Sequence, residues 1–200
     1  MSWRPLFFVT IFLIALLSPM NTHIVGLAEG QDTVVCCDSV GLDLHLIGSD
    51  SSGTLSPFIQ DLGETTIAKT IANAVTSEET VGTWSLPEVW PGTVPAATWT
   101  LNMAYEVTDA AGAQVNATAS LQIGSQTFSA ATPAGNSFLA QGTGTLTFEI
   151  EVDATSITSA SNVVLTLTAR TVVFSLPAGE AKLEFQWGSE DSDSVLEGEM

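Results

Sequence analysis

The sequence predicts an all-β fold, an antiparallel β-sandwich of jelly-roll or immunoglobulin-like type that follows an N-terminal signal peptide or anchor. Apolar and polar residues alternate with a period of two in several short runs, which is typical of strands with one buried face. Gly, Pro and Asn separate these runs, as expected for turns. Hydrophobic residues make up 45% of the 200 residues, which is enough to build the core of one domain.

Residues 1–28 are predicted to form a signal peptide or membrane anchor. Arg4 precedes an apolar run from Leu6 to Leu17, which is too short to cross a bilayer core of about 30 Å but suits a secretory signal. Gly26 and Ala28 are small residues at the spacing of a cleavage site. The alternative is an uncleaved anchor, which would be the only contact with a membrane. Either interpretation predicts export, with the protein secreted or held in the cell envelope.

Residues 29–39 are predicted to be a polar linker that holds Cys36 and Cys37, the two cysteines of the chain. Outside the cell these thiols could form a vicinal disulfide, link to another chain or serve as a tether. A zinc site needs about four ligands, and beyond residue 28 the chain has only these two thiols and His45. We therefore expect neither a bound metal nor a cofactor.

Residues 40–188 are predicted to form the sandwich domain. Turns are expected at 109–114, 131–137, 141–145 and 176–180. Residues 65–75 are ambiguous, because helical spacing of Ile and Val competes with a strand-like Thr and Ile content. The predicted core faces of the strands are Leu42, Leu44, Leu46, Trp99, Leu101, Met103, Tyr105, Val107, Val115, Ala117, Ala119, Leu121, Ile123, Leu146, Phe148, Ile150, Val152, Val163, Leu165, Leu167, Leu183, Phe185 and Trp187.

Residues 189–200 are predicted to be an acidic flexible tail, because small and acidic residues dominate them. Glu190, Asp191 and Asp193 offer oxygen ligands of the kind that calcium prefers. They lack the turn glycine and closing glutamate of a calcium loop, so they are only a weak calcium candidate.

Tryptophan is the most suggestive ligand-binding feature. Trp99 alternates in phase with Leu101, so it belongs to the core. Trp84 and Trp90 lie in a stretch too rich in proline for the inside of a sheet. Their rings either cap one end of the sandwich, which we favour because a Trp has so much apolar area to bury, or stand exposed and stack on sugars.

Catalytic signatures are missing from the sequence. His45 lies between two leucines on the predicted solvent face of a strand, without a nucleophile or metalloprotease motif beside it. Glu149 and Glu151 fit the exposed face of a strand better than the carboxylate pair of a glycosidase. Asn116 begins an Asn-Ala-Thr sequon and is a glycosylation candidate. We therefore do not expect an enzyme.

The charge limits the partners. Twenty-two acidic residues against four basic ones give a formal net charge of -18. Binding to nucleic acid relies on Lys and Arg displacing counterions, so nucleic acid is an unlikely partner. The partner we expect is a glycan or a protein at the cell surface, and the sequence does not define the oligomeric state.

The exported part resembles secreted or cell-surface acidic β-sandwich proteins of marine or salt-adapted archaea. The resemblance is carried by "LLSP", "VNATASLQI", "GTLTFEIEV" and "LEFQWGSEDSDS". It implies an extracellular or envelope setting, and it brings no site motif and no established activity.

From the sequence we expect a non-enzymatic extracellular or envelope-associated β-sandwich that serves interaction or surface structure. The alternative is a carbohydrate-binding module that uses exposed Trp84 and Trp90.

Overall fold

The computed structural model describes residues 40–49, 51–73, 76–86, 91–133, 137–157 and 162–200. They belong to one compact unit, Ser39–Met200. The expected signal peptide or anchor at 1–28 and the linker at 29–39, with Cys36 and Cys37, lie outside the described residues. No helix in the described ranges is long and apolar enough to cross a membrane.

The all-β prediction is confirmed, and the described ranges form no α-helix. A short 3-10 turn covers Ile59–Asp61. The strands are β1 (Gly41–Ser49), β2 (Ser52–Ser56), β3 (Ile67–Thr70), β4 (Glu79–Ser85), β5 (Gly92–Val94), β6 (Ala97–Ile123), β7 (Gln126–Ala131), β8 (Ser137–Val152), β9 (Thr155–Ile157), β10 (Val163–Ser175), β11 (Lys182–Trp187) and β12 (Val195–Glu199).

Strand pairing forms one large sheet that returns to its starting strand. The order β10-β4-β2-β1-β12-β6 is completed by a further pairing of β6 with β10. β11 and β3 extend this sheet beside the first half of β6, and β7 and β8 also pair with β6. β5 and β9 form a separate two-stranded sheet. β6 therefore organises the fold, because most of the other strands reach the sheet through it.

β6 can pair with so many strands because it is long. Its chain bends near Asp109 and continues as a strand, where a turn would have ended it. The predicted turn at 109–114 is wrong, since β6 continues through it for 27 residues. Its register with β8 shifts between Val107 and Gly112, and Asp109 takes a positive φ of 53° at the shift. β8 bends at the same place, where Gly142 has a φ of 89°, so 141–145 is also not a turn. Bulges on both strands thus replace two predicted turns.

The predicted core faces are confirmed. All of the residues predicted to face inward are buried except Leu42 and Leu146, which are half-buried. The ambiguous stretch 65–75 contains strand β3, so the strand interpretation is correct for Ile67–Thr70.

Buried aromatic rings pack directly over glycines of neighbouring strands. Tyr105 lies opposite Gly144, and the nearest atoms to a Cβ added at Gly144 are those of the Tyr105 ring. Gly198 has the same relation to the Trp99 ring. A side chain at either glycine would displace the ring, which explains why glycine stands inside these strands.

The pairing of β2 with β4 is parallel, so the expectation of purely antiparallel sheets is wrong at this pair. The connection between the two strands includes the 3-10 turn and β3. A connection of that length allows the chain to return in the same direction, which a hairpin cannot do.

The predicted flexible tail at 189–200 is also wrong. Val195–Glu199 form β12, which pairs with β1 on one side and with β6 on the other. Leu196 is fully buried, and Met200 exchanges backbone hydrogen bonds of 3.1 and 2.9 Å with Val40. The acidic side chains of β12 project outward while its backbone fills a central place in the sheet.

Candidate functional site

Trp84 lies inside the protein. It belongs to β4, pairs across the sheet with Leu165 of β10, and is fully buried. Its ring meets that of Trp187 edge to face, with ring centroids 5.2 Å apart and an interplanar angle of 87°. Gly53, directly opposite Trp84 on β2, leaves room for the indole.

Trp84 is buried, as the favoured interpretation expected, but it lies within a strand of the sheet and not in a loop. The alternative, an exposed Trp84, is wrong. The prolines that suggested a loop begin only after Leu86, beyond the end of β4. Trp90 lies outside the described residues.

The acidic end segment 189–194 is held by hydroxyl groups. Thr66, in the chain before β3, places its Oγ1 2.8 Å from the Oγ atoms of both Ser189 and Ser192. The two serine Oγ atoms are 2.9 Å apart. All three hydroxyls are therefore within hydrogen-bonding distance of one another, and both serines are buried.

Ser194 fixes the same segment to the centre of the sheet. Its Oγ donates to the backbone oxygen of Gln186 at 2.7 Å and accepts the backbone N–H of Ala104 at 2.9 Å. The Ser194 side chain thus bridges the backbones of β11 and β6. It is fully buried. Satisfying these backbone groups is what allows the chain to pass from β11 into β12.

His45 is not a solvent-facing residue, which corrects the prediction. It is 9% exposed, and its Nδ1 lies 2.8 and 3.0 Å from the two carboxylate oxygens of Asp193. The end segment lies next to β1 here, since Leu46 donates its backbone N–H to Ser194 at 2.9 Å. The histidine is therefore half of a pair that holds Asp193 beside the sheet.

A histidine oriented by a carboxylate is two thirds of a serine-hydrolase triad. Ser56 lies opposite His45 on β2, but its Oγ donates to Asp61 at 2.5 Å and accepts the backbone N–H of Phe58 at 3.2 Å. No hydroxyl of the described residues hydrogen-bonds to the free ring nitrogen of His45. The described arrangement therefore supplies a base and its orienting group without a nucleophile.

Two open clefts flank the end segment. One, of about 360 Å³, is lined by Leu62, Gly63, Glu64, Ser189, Glu190 and Asp191. The other, of about 340 Å³, lies over Tyr105 and Gly144 and shares Glu190 and Asp191 as lining residues. Both are shallow and acidic, and they differ from the enclosed apolar pockets that usually bind small molecules.

The weak calcium candidate consists of Glu190, Asp191 and Asp193, and one of these three carboxylates is already used within the fold. Asp193 is engaged with His45, whereas Glu190 and Asp191 are exposed. Across the described residues no three His, Cys, Asp or Glu side chains are grouped to hold a metal ion.

The remaining predicted residues lie apart from this segment. Asn116 is half-buried in the middle of β6, opposite Arg170 of β10. Glu149 and Glu151 are exposed on β8, as predicted, and Thr98 donates a hydrogen bond of 3.1 Å to Glu151.

Sequence reasoning missed Thr66, Ser189, Ser192 and Ser194, because hydrogen bonds between distant hydroxyls leave no periodic pattern. The one available signal was the repeated serine in "GSEDSDS", which a search for apolar residues passes over. Comparison with protein-family models gives no match, and comparison with curated proteins gives none either.

Proposed function

We propose that this protein is a non-enzymatic, extracellular or envelope-associated β-sandwich that serves interaction or surface structure. The observation that carries the proposal is that the side chains best suited to chemistry are used to hold the fold. Trp84 is buried against Trp187, and His45 is bound to Asp193 at a strand crossing. The described surface that remains consists mainly of polar strand faces and a few apolar side chains.

Beyond the all-β fold, we propose that the strands form the two packed layers of a β-sandwich. β6 pairs with β11 and β12 before its bend and with β7 and β10 after it, and β8 pairs with it on both sides of the bend. A strand that bends at a bulge is the usual way to pass from one layer of a sandwich to the other. In this interpretation the bend at Asp109 is a corner, and the two halves of the closed sheet face each other.

Exposed apolar side chains support a role in contact. Phe58 and Ile59, adjacent at the 3-10 turn, are 55% and 54% exposed, and Leu176 is 82% exposed. On a chain with a net charge of -18, apolar residues at the surface are the places where another molecule could gain burial.

Export rests on the sequence of residues 1–28, with Arg4 before the apolar run. Mass spectrometry of the native protein tests it: a mature chain beginning near Glu29 supports a cleaved signal. A chain that retains residues 1–28 and stays in the membrane fraction supports the anchor. A full-length chain in the soluble cell contents would contradict export.

The carbohydrate-binding alternative now depends on Trp90 alone, since Trp84 is buried. Affinity electrophoresis against a panel of polysaccharides tests it, with Trp90→Ala as the variant. Retardation that disappears in Trp90→Ala would favour that alternative over our proposal.

The non-enzymatic part is tested at His45. We expect no turnover that depends on His45 when the full chain is offered panels of esters, peptides and glycosides. His45→Gln and Asp193→Asn are the matched variants, because each keeps a polar side chain of similar size. Turnover by the native chain that is lost in both variants would contradict the proposal.

A further inference from the structure

β8 has one edge that no described strand pairs with. It runs for 16 residues and pairs along its length with β6. The straight part after the bend at Gly142 is the longest such edge in the described residues, since β3 has four residues and β7 has six. Unpaired strand edges are templates for the addition of another strand.

The direction of the β8 backbone groups follows from one hydrogen bond. The N–H of Ala104 points to Ser194, on the side of β6 away from β8. In an antiparallel strand successive residues point their backbone groups to opposite sides, so Met103 and Tyr105 bond to β8. Their partners are Leu146 and Gly144. The residues between and beside these partners therefore point their N–H and C=O groups to the free edge.

Those residues are the ones with exposed side chains, Thr143, Thr145, Thr147, Glu149 and Glu151. Their backbone groups are unused by β6, and their side chains are polar or acidic. The edge thus offers a row of hydrogen-bonding groups with negative charge at one end only.

We infer that this edge of β8 pairs with β8 of a second copy of this chain, antiparallel and around a two-fold axis at Leu146. The inference rests on the proposed function and names the partner for it. In this register Thr145 lies opposite Thr147 of the second copy, and Glu149 lies opposite Thr143 of the second copy. About eight backbone hydrogen bonds form between the straight parts of the two strands.

Charge complementarity favours this register. Within the chain each glutamate of β8 already faces a threonine of β6, Glu149 opposite Thr100 and Glu151 opposite Thr98. The two-fold register at Leu146 repeats that arrangement for Glu149, which faces Thr143 of the second copy. An axis at Glu149 or Ile150 would instead place glutamates of the two copies directly opposite each other, and like charges in that position are destabilising.

Burial favours the same axis. Leu146 points to the core side of β8 but is only half-buried, whereas Phe148 and Ile150 farther along are buried. An axis at Leu146 brings the two half-buried leucines together and extends each core across the junction.

The test is sedimentation of the full chain in reducing buffer, which prevents Cys36 and Cys37 from linking copies. Salt of about 1 M shortens the Debye length to about 3 Å and screens the repulsion between the acidic copies. We expect the average mass to rise with concentration toward twice that of one chain. A mass that stays at one chain at every concentration would overturn the inference, whether the edge is free or covered by the chain itself.

Thr147→Pro removes one outward N–H and no bond to β6, so it should fold and remain at the mass of one chain. Thr147→Val keeps the N–H and should associate like the native chain. Thr145→Pro gives a second variant at the next outward position. If Thr147→Pro and Thr145→Pro both fold and associate as strongly as the native chain, the two copies do not pair through this edge and the inference is overturned.

The register is tested by a cysteine on the axis, with Cys36→Ser and Cys37→Ser in the background. Leu146→Cys should give a disulfide-linked dimer on oxidation, because residues in a non-hydrogen-bonded pair have Cα atoms about 4.5 Å apart. Glu151→Cys is the control and should not link, since it faces Gln141 of the second copy. Linking of Glu151→Cys without Leu146→Cys would overturn the register.

These outcomes are separate from those of the proposed function. Turnover that depends on His45 would remove the non-enzymatic function without changing the sedimentation. A monomer without turnover would remove this inference alone.

Discussion

Trp84 was expected at one end of the sandwich and the acidic segment 189–194 was expected to be mobile, but both are packed into the sheet. The first is held by apolar contact, with Trp84 edge to face on Trp187. The second is held by hydroxyl hydrogen bonds and by the contact of His45 with Asp193. The difference shows that buried regions of this protein are held either by apolar packing or by hydrogen bonds between polar side chains. Only apolar packing produces an alternation of apolar and polar residues that can be recognised in the sequence.

Removing the Trp84 ring should have the largest effect on either region. Trp84→Ala leaves a cavity in the centre of the core and should lower the free energy of unfolding by about 3–5 kcal/mol. Chemical denaturation monitored by circular dichroism measures this, with Trp84→Phe as the control that keeps an aromatic ring and should cost less. A Trp84→Ala chain as stable as the native one would show that Trp84 is not a core residue.

Removing one hydroxyl should be the next effect in size. Thr66→Val keeps the shape of the side chain but leaves Ser189 and Ser192 without one of their partners, which should cost about 1–2 kcal/mol in the free energy of unfolding. Thr66→Ser restores the hydroxyl and should recover most of the loss. Equal stability of Thr66→Val and the native chain would mean that the end segment does not depend on this network.

The pair of His45 and Asp193 should contribute less, because both side chains are partly exposed, at 11% and 29%. A double-mutant cycle with His45→Gln and Asp193→Asn should give a coupling of about 0.5–1 kcal/mol in the free energy of unfolding. A coupling of zero would mean that the pair does not stabilise the segment and that only the serine and threonine hydroxyls hold it.

The smallest effect is expected on the outer faces. Glu106 and Glu184 lie directly opposite each other on β6 and β11, and they are hydrogen-bonded by Gln186 and Thr70 at 2.9 and 2.8 Å. Glu184→Gln keeps an acceptor for Thr70 and should raise the free energy of unfolding by about 0.2–0.5 kcal/mol at low salt.

That gain should vanish at about 1 M salt, where screening removes the repulsion. Glu180→Gln, in the connection before β11, is the control and should change little. A gain from Glu184→Gln that persists at high salt would point to a cause other than charge.

Much of the fold could be predicted, because burial of one strand face imposes a period of two. The inward residues of β6, β8, β10 and β11 follow this rule almost without exception. Turn prediction failed at Asp109 and Gly142, because residues that favour a positive φ serve bulges as well as turns. A bulge differs from a turn only in whether a neighbouring strand continues beside it, which is a long-range property.

The candidate site was predicted less well, for a related reason. Glu190, Asp191 and Asp193 were correctly seen as acidic and polar, but their mobility was inferred from composition alone. The partners that fix the segment, Thr66 and His45, lie more than a hundred residues away along the chain. Composition cannot report such contacts, and neither can a local pattern.

Amide hydrogen exchange of the native chain tests most directly whether the acidic end is part of the folded sheet. We expect the amides of Gly198 and Leu196, which bond to β1, to exchange as slowly as that of Leu101 in the centre of β6. Exchange of residues 189–199 at the rate of an unstructured peptide, while β6 stays protected, would contradict it.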